Sequence, residues 1–219
     1  MRLTPVGQLI ALDDIGVDRG GVPVLRAVNL NLDESQVVGI AGLNGSGKTT
    51  LLRLIATLLA PSEGAGRVLD TELGSPGVYD IRDKIGMISH TPAILPELTQ
   101  RENLVHFSNL SGADTGQVAK VLQVVGLDEA ADRRADASSF GMQRRGEVAR
   151  LLMTNPTVLL LDEAFSGLDS EAQELIGALI GRTRSKGGTV VMVSHDATQL
   201  RGHADRVLYL RSGRLEEMS

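Results

Sequence analysis

The chain contains no cysteine and no tryptophan, and its 219 residues include only three phenylalanines and two tyrosines. Without thiols there can be no disulfide and no Cys-based zinc site, which fits a reducing compartment. The four histidines, His90, His106, His195 and His203, are scattered without the spacing of metal ligands. Basic charge is also scarce: 22 Lys and Arg stand against 27 Asp and Glu, a net charge of −5. No Lys/Arg-rich run occurs, so no nucleic-acid partner is expected. Long apolar runs are missing too, and none approaches the ~20 residues that span a bilayer. Met1-Arg2-Leu3-Thr4-Pro5 is not followed by a signal-type apolar core. A cytoplasmic chain is expected, long enough for one large domain or two small ones.

What is present is a phosphate-binding pattern. Gly42-Leu43-Asn44-Gly45-Ser46-Gly47-Lys48-Thr49-Thr50 contains G-x-x-x-x-G-K-[ST], the P-loop. The apolar run Val37–Ala41 before it reads as a strand buried on both faces. After it, Leu51, Leu52, Leu54, Ile55, Leu58 and Leu59 form a helical stripe closed by Pro61. In that setting the glycines let backbone N–H groups converge on an anion, and the helix dipole adds positive potential. Lys48 is placed to reach the β- and γ-phosphates, and the Thr49 hydroxyl to ligate Mg²⁺. The pattern predicts a nucleoside triphosphate site.

In chain order, Leu9–Val17 and Val24–Leu32 read as antiparallel strands turned by Gly20-Gly21, with Val28, Leu30 and Leu32 alternating inward. A small-residue loop, Pro61–Gly66, precedes a short strand at Arg67–Leu69, and Ile85–Ser89 reads as another strand. Residues 90–145 change character. Thr99 and Glu102 form a capping box opening a helix to about Leu110, and Val118, Val121, Leu122 and Val125 make an apolar face ended by Gly126. A helix from Met142 to Met153 stops at Asn155-Pro156. Strands at Val158–Leu161 and Val190–Val193 flank a helix marked by Leu175, Ile176, Leu179 and Ile180. A hairpin at Val207–Leu215 closes the chain. The fold expected is a single α/β domain over 1–219. It has an N-terminal antiparallel β subdomain and a mostly parallel P-loop core with helices on both faces, spanning about 1–89 and 146–219. A helical subdomain is inserted at about 90–145.

A second constellation follows. Val158–Leu161 leads into Asp162-Glu163, two carboxylates at the C-terminal end of a buried strand, on the ligand edge of a parallel sheet. Asp162 is placed to hold Mg²⁺, directly or through water, and Glu163 to orient or deprotonate an attacking water.

With these motifs the chain resembles the ATP-binding cassette (ABC) ATPases over nearly its whole length. Ser139-Phe140-Gly141-Met142-Gln143-Arg144-Arg145 resembles the family's signature loop, and Phe165-Ser166-Gly167-Leu168-Asp169 its D-loop. Val193-Ser194-His195-Asp196 resembles the switch-histidine segment, and Ile85–Pro92 lies where the Q-loop falls. The resemblance implies two such domains sandwiching two ATP molecules with Mg²⁺. Ser139 and the Gly141 N–H would reach the γ-phosphate on the partner's P-loop, Asp169 would couple the two sites, and His195 would contact the γ-phosphate. It also implies separate transmembrane subunits, and hence a place on the inner face of the cell membrane.

Several positions depart from the family pattern. Phe140 replaces a signature glycine, Met142 a glutamine, Ala164 a proline, and His90 the glutamine that links the metal site to the membrane subunit. The Ser139–Met142 style is similar to that of export ATPases, including the haem exporters of cytochrome c biogenesis and drug or polysaccharide exporters. The usual adenine-stacking aromatic upstream of the P-loop is missing: the first aromatic is Tyr79, and Arg19 stands nearest the expected place. The expectation is an ATP-hydrolysing subunit of an exporter. The alternatives are a non-transport ABC ATPase of DNA repair or translation, or a regulatory module without turnover. No Asn-Lys-x-Asp guanine-reading motif occurs.

Overall fold

The computed structural model describes residues 7–217. Two sheets organise it. The first is antiparallel, built on a long hairpin of β1 (Gln8–Arg19) and β2 (Val22–Asp33), with β4 (Glu63–Val68) pairing the other edge of β1 and β5 (Thr71–Glu72) pairing β4. Val28, Leu30 and Leu32 of β2 are buried in alternation, as the sequence pattern requires for a half-covered sheet. β4 is longer than the strand expected at Arg67–Leu69. Its first residues are small rather than apolar, and a Cβ on Gly64 would lie 2.3 Å from the Asp14 carbonyl oxygen. Close backbone approach to β1, not side-chain burial, makes that stretch a strand.

The second sheet has the order β10-β9-β3-β8-β7-β6. β3 (Val37–Ala41), β6 (Ile85–Ile88), β7 (Val158–Asp162), β8 (Thr189–Ser194) and β9 (Arg206–Arg211) run parallel, and β10 (Arg214–Glu217) returns antiparallel along β9. Each central strand is buried on both faces, and its residues divide by parity. Val38, Ile40, Leu160, Val191 and Val193 face a core shared with α1 (Lys48–Ile55) and the antiparallel sheet. Val37, Leu159, Leu161, Val190 and Met192 face a second core under the remaining helices. Those are α2 (Gln100–Ser111), α3 (Val118–Val124), α4 (Phe140–Thr154), α5 (Ser170–Ser185) and α6 (Ala197–Arg201).

The start of α2 is the predicted capping box. The Thr99 hydroxyl accepts the Glu102 N–H, and the Glu102 carboxylate accepts the Thr99 N–H. α1 is shorter than its apolar stripe. It stops at Ile55 because Thr57 turns left-handed, at φ 61°, and Leu58 swings out to 55% exposure. A nine-residue 3₁₀ segment, Pro76–Lys84, and the short α6 were not anticipated. Among the described residues no helix is long and apolar enough to cross a membrane.

Candidate active site

The sheet order places three loops side by side. β3, β8 and β7 are consecutive neighbours running in parallel, so the P-loop after Ala41, the turn after Ser194 and the carboxylates ending β7 share one C-terminal edge. The pairing continues past the strands. Gly42 N–H donates to the Ser194 carbonyl at 3.2 Å, and Glu163 N–H to the Val193 carbonyl at 3.0 Å.

The P-loop is a cradle closed by its own lysine. Gly47 precedes α1 at φ 107°, and a Cβ there would sit 2.9 Å from Leu25 Cδ2. No other residue fits this turn without strain. Lys48 is 7% exposed, and its Nζ donates to the Gly42 carbonyl at 2.7 Å and the Leu43 carbonyl at 3.2 Å. The N-terminus of α1 has no side-chain cap and no acidic residue in its first turn. Its leading N–H groups and the positive end of its dipole therefore suit an anion. The Ser46 hydroxyl is buried without a partner, an orphan that a phosphate oxygen would satisfy. A cavity of about 650 Å³ opens beside the loop, lined by Gly42–Ser46, His195 and Tyr209–Ser212.

The metal-site expectation fits the side chains present. Thr49 Oγ1 donates to Asp162 Oδ2 at 2.8 Å, setting a hydroxyl and a 6%-exposed carboxylate together at the cradle's mouth. Hard oxygen donors of this kind suit Mg²⁺, which needs few protein ligands when phosphate oxygens supply others.

Glu163 is the strained member of the site. It has left-handed backbone at φ 50°, at a cost of roughly 1 kcal/mol or more for a residue with a Cβ. The surroundings hold it there. Its Oε2 accepts the Ser194 hydroxyl at 2.8 Å, and its Oε1 accepts the His195 N–H at 2.9 Å. His195 Nδ1 lies 3.1 Å from Oε2, so with Glu163 ionised this nitrogen carries the proton. A neutral His195 ring then offers Nε2 as an acceptor. Lys48 Nζ is 3.8 Å from Glu163 Oε1. Ser194 was not singled out from sequence, although its place at the last position of a buried strand beside the carboxylates is the signal that finds it.

The other predicted residues lie apart from this cluster. Ser139 caps α4, its hydroxyl accepting the Met142 N–H at 3.3 Å, and Gly141 is in the first turn of that helix. Asp169 caps α5 through the Ala172 N–H at 2.7 Å and lies 3.7 Å from Arg145. His90 is exposed just beyond β6, next to β7 in the sheet. Arg19 is exposed at the end of β1. Asn44 is exposed and Thr50 buried within the P-loop segment. Among the described residues, no hydrogen bond or ion pair joins Arg19, His90, Ser139, Gly141 or Asp169 to the P-loop, to Asp162 or to Glu163.

The chain is similar to known proteins. The ABC transporter family model matches residues 25–166. The methionine import ATP-binding protein MetN of Caulobacter vibrioides is 38% identical over 207 residues, covering 91% of this chain and 62% of MetN. The chain thus spans only about three fifths of the length of that relative. The cytochrome c biogenesis ATP-binding export protein CcmA of Roseobacter denitrificans is 36% identical over 186 residues, covering 85% of this chain and 84% of CcmA. A solved dimeric ATP-binding cassette in a post-hydrolysis state, bound to ADP and Pi, superposes with a TM-score of 0.83 at 28% identity, over 95% of this chain and 97% of that one. The chain belongs to the ABC transporter family of ATP-binding proteins.

Proposed function

We propose that this chain is the ATP-hydrolysing subunit of an ABC exporter, acting as one half of a nucleotide-bridged dimer on separate transmembrane subunits. The observation that carries the reading is Glu163. A strained carboxylate is held by Ser194 and His195 beside a P-loop lysine and a Thr49–Asp162 oxygen pair.

In this reading the N–H groups of Gly45–Thr49 cradle the β- and γ-phosphates, with Gly42 and Asn44 shaping the approach and Thr50 anchoring the helix. Lys48 exchanges its two loop carbonyls for phosphate oxygens. Thr49 and Asp162 would hold Mg²⁺, which would supply positive charge to offset that of the phosphates. Glu163 aims the attacking water and accepts its proton as water oxygen bonds the γ-phosphorus and the bond to the departing ADP breaks. His195, tied to Glu163 through Nδ1, steadies the same water through Nε2. Ser139 and Gly141 serve the partner's nucleotide, Asp169 couples the two sites, His90 joins the metal site to the membrane subunit, and Arg19 lies against the base.

Dimerisation is supported by the exposure of Leu43 in the P-loop, at 83%, and of Phe140 at the start of α4, at 43%, the two places that would meet. Relatives with import names and with export names both match. The export direction rests on His90 and on the Ser139-Phe140-Gly141-Met142 style. We also read residues 90–145 as a helical subdomain on a core of 1–89 and 146–219, and the protein as peripheral on the inner membrane face. Phosphate release from Mg²⁺-ATP by the unaltered chain, compared with Lys48→Ala, tests the hydrolytic reading. Equal rates would refute it.

A further inference from the structure

Helix α4 carries two charged side chains deep in the protein that the nucleotide site does not use. Arg144 is 2% exposed and Glu147 0%. They sit one turn apart, with Arg144 Nη1 donating to Glu147 Oε2 at 2.5 Å. A buried ion pair is a weak stabiliser by itself, because desolvation offsets its attraction. Burial indeed pushes the Glu147 carboxyl above its ordinary range. What the pair holds is more telling than what it stabilises.

It holds the backbone of the loop after β6. Arg144 Nη1 also donates to the Ser89 carbonyl at 2.8 Å, and Nη2 reaches the His90 carbonyl at 3.5 Å. Glu147 Oε1 accepts the Ala93 N–H at 2.7 Å. One turn further along α4, Arg150 Nη2 donates to the Met87 carbonyl at 3.2 Å. Past β6, the Ser89 and His90 carbonyls and the Ala93 N–H are thus met by α4 side chains rather than by a strand or helix of their own. The far end of the loop is tied to a different element, since Asn103 of α2 bonds both the N–H and the carbonyl of Leu95. The same α4 begins at Ser139.

We propose that Arg144 and Glu147 are positioning residues that lock the loop carrying His90 to the helix carrying Ser139, so that the two move toward or away from nucleotide as one body. This rests on the roles proposed above for His90 and Ser139. Glu147 reads the loop through one N–H and Arg144 through two carbonyls, a pattern that fixes position rather than merely filling space. Neither residue bonds the P-loop, Asp162 or Glu163 among the described residues, and both act through the loop.

The test is the paired variant Arg144→Met with Glu147→Met. Buried ion pairs tolerate apolar replacement, so the thermal midpoint should stay close to that of the unaltered chain, while every bond from the pair to Ser89, His90 and Ala93 is lost. Amide hydrogen exchange should then quicken over residues 89–93. The Kd for a fluorescent ATP analogue should stay within about twofold while kcat for phosphate release falls at least about tenfold. Should the paired variant fail to fold, Arg144→Lys decides. It keeps a cation beside Glu147 but lacks the planar fork that reaches both carbonyls, and the same split is expected. Unchanged exchange over 89–93, or unchanged kcat with faster exchange, overturns the lock. If the unaltered chain shows no turnover at all, the hydrolytic reading fails instead, and the exchange measurement alone upholds or overturns the lock.

Discussion

Glu163→Gln separates chemistry from architecture at this site, because the surrounding hydrogen bonds show how an amide would sit. The Gln Oε1 can keep the His195 N–H that the carboxylate accepts at 2.9 Å. Its Nε2 would then face the Ser194 hydroxyl and His195 Nδ1, which lie 2.8 and 3.1 Å from the present carboxylate oxygen. Ser194 can rotate to accept, and a neutral His195 can move its proton to Nε2. The shape survives, and the loss of charge-assisted bonds costs about 1–2 kcal/mol of stability. What does not survive is the basic oxygen. Losing a general base lowers turnover by roughly 10²–10⁴, or about 2.7–5.4 kcal/mol of transition-state stabilisation. Steady-state phosphate release from Mg²⁺-ATP should fall by that factor, while titration with a fluorescent ATP analogue gives a Kd within a few-fold of the unaltered chain. Turnover close to normal would show that another group takes the proton and would refute the role of Glu163. Loss of binding together with turnover would show that its ties to Ser194 and His195 shape the cradle itself.

Other perturbations reach different parts of the same site. Lys48→Ala removes the cation and frees the Gly42 and Leu43 carbonyls, so the affinity for ATP itself should fall by at least about tenfold, or ~1.4 kcal/mol, by the same titration. Glu163→Gln with Mg²⁺-ATP should run as a dimer by size-exclusion chromatography with light scattering, and as a monomer without nucleotide; a dimer of equal strength in both conditions would count against ATP acting as the bridge. Exposed Arg19 is the residue proposed to lie against the base in place of an aromatic ring, and stacking on a ring is worth about 1–3 kcal/mol in nucleic-acid sites. ATP and GTP should therefore bind within about tenfold of each other, with Arg19→Ala weakening both alike; a hundredfold preference for ATP would mean that another group reads the base.

The parts of the fold legible in the sequence are those where one local signal decides. Val37–Ala41, Val158–Leu161 and Val190–Val193 are continuous aliphatic runs, and each is a fully buried parallel strand. Thr99 and Glu102 announce the start of α2, and both capping bonds are present. Where tertiary contact overrides composition, the signal fails. Glu63–Val68 offers almost no apolar side chain, and its strand exists because glycine lets the backbone lie against β1. α6 did have a readable start, since Asp196 caps the Thr198 and Gln199 N–H groups. Its few residues carry too little periodicity to be seen.

Residue types at the site and their shared sheet edge were legible, but the particular contacts between them were not. Thr49 and Asp162 are 113 positions apart, and Glu163 and Ser194 are 31 apart. They meet only because β8 lies between β3 and β7, an order that differs from chain order. No propensity encodes that order, whereas a buried parallel sheet with right-handed crossovers permits few alternatives. The left-handed backbone of Glu163 was equally hidden, since it depends on ties from a strand that arrives later in the chain. The same logic bears on what one chain leaves undone. It assembles the P-loop, the Thr49–Asp162 oxygen pair and the Glu163 carboxylate on one sheet edge. Ser139 and Gly141 themselves meanwhile make no hydrogen bond or ion pair with the P-loop, Asp162 or Glu163 among the described residues. A serine proposed to bind phosphate, yet without a bond to its own chain's phosphate cradle, fits the proposed surface that completes a partner's site, the arrangement that the nucleotide-dependent dimer experiment tests.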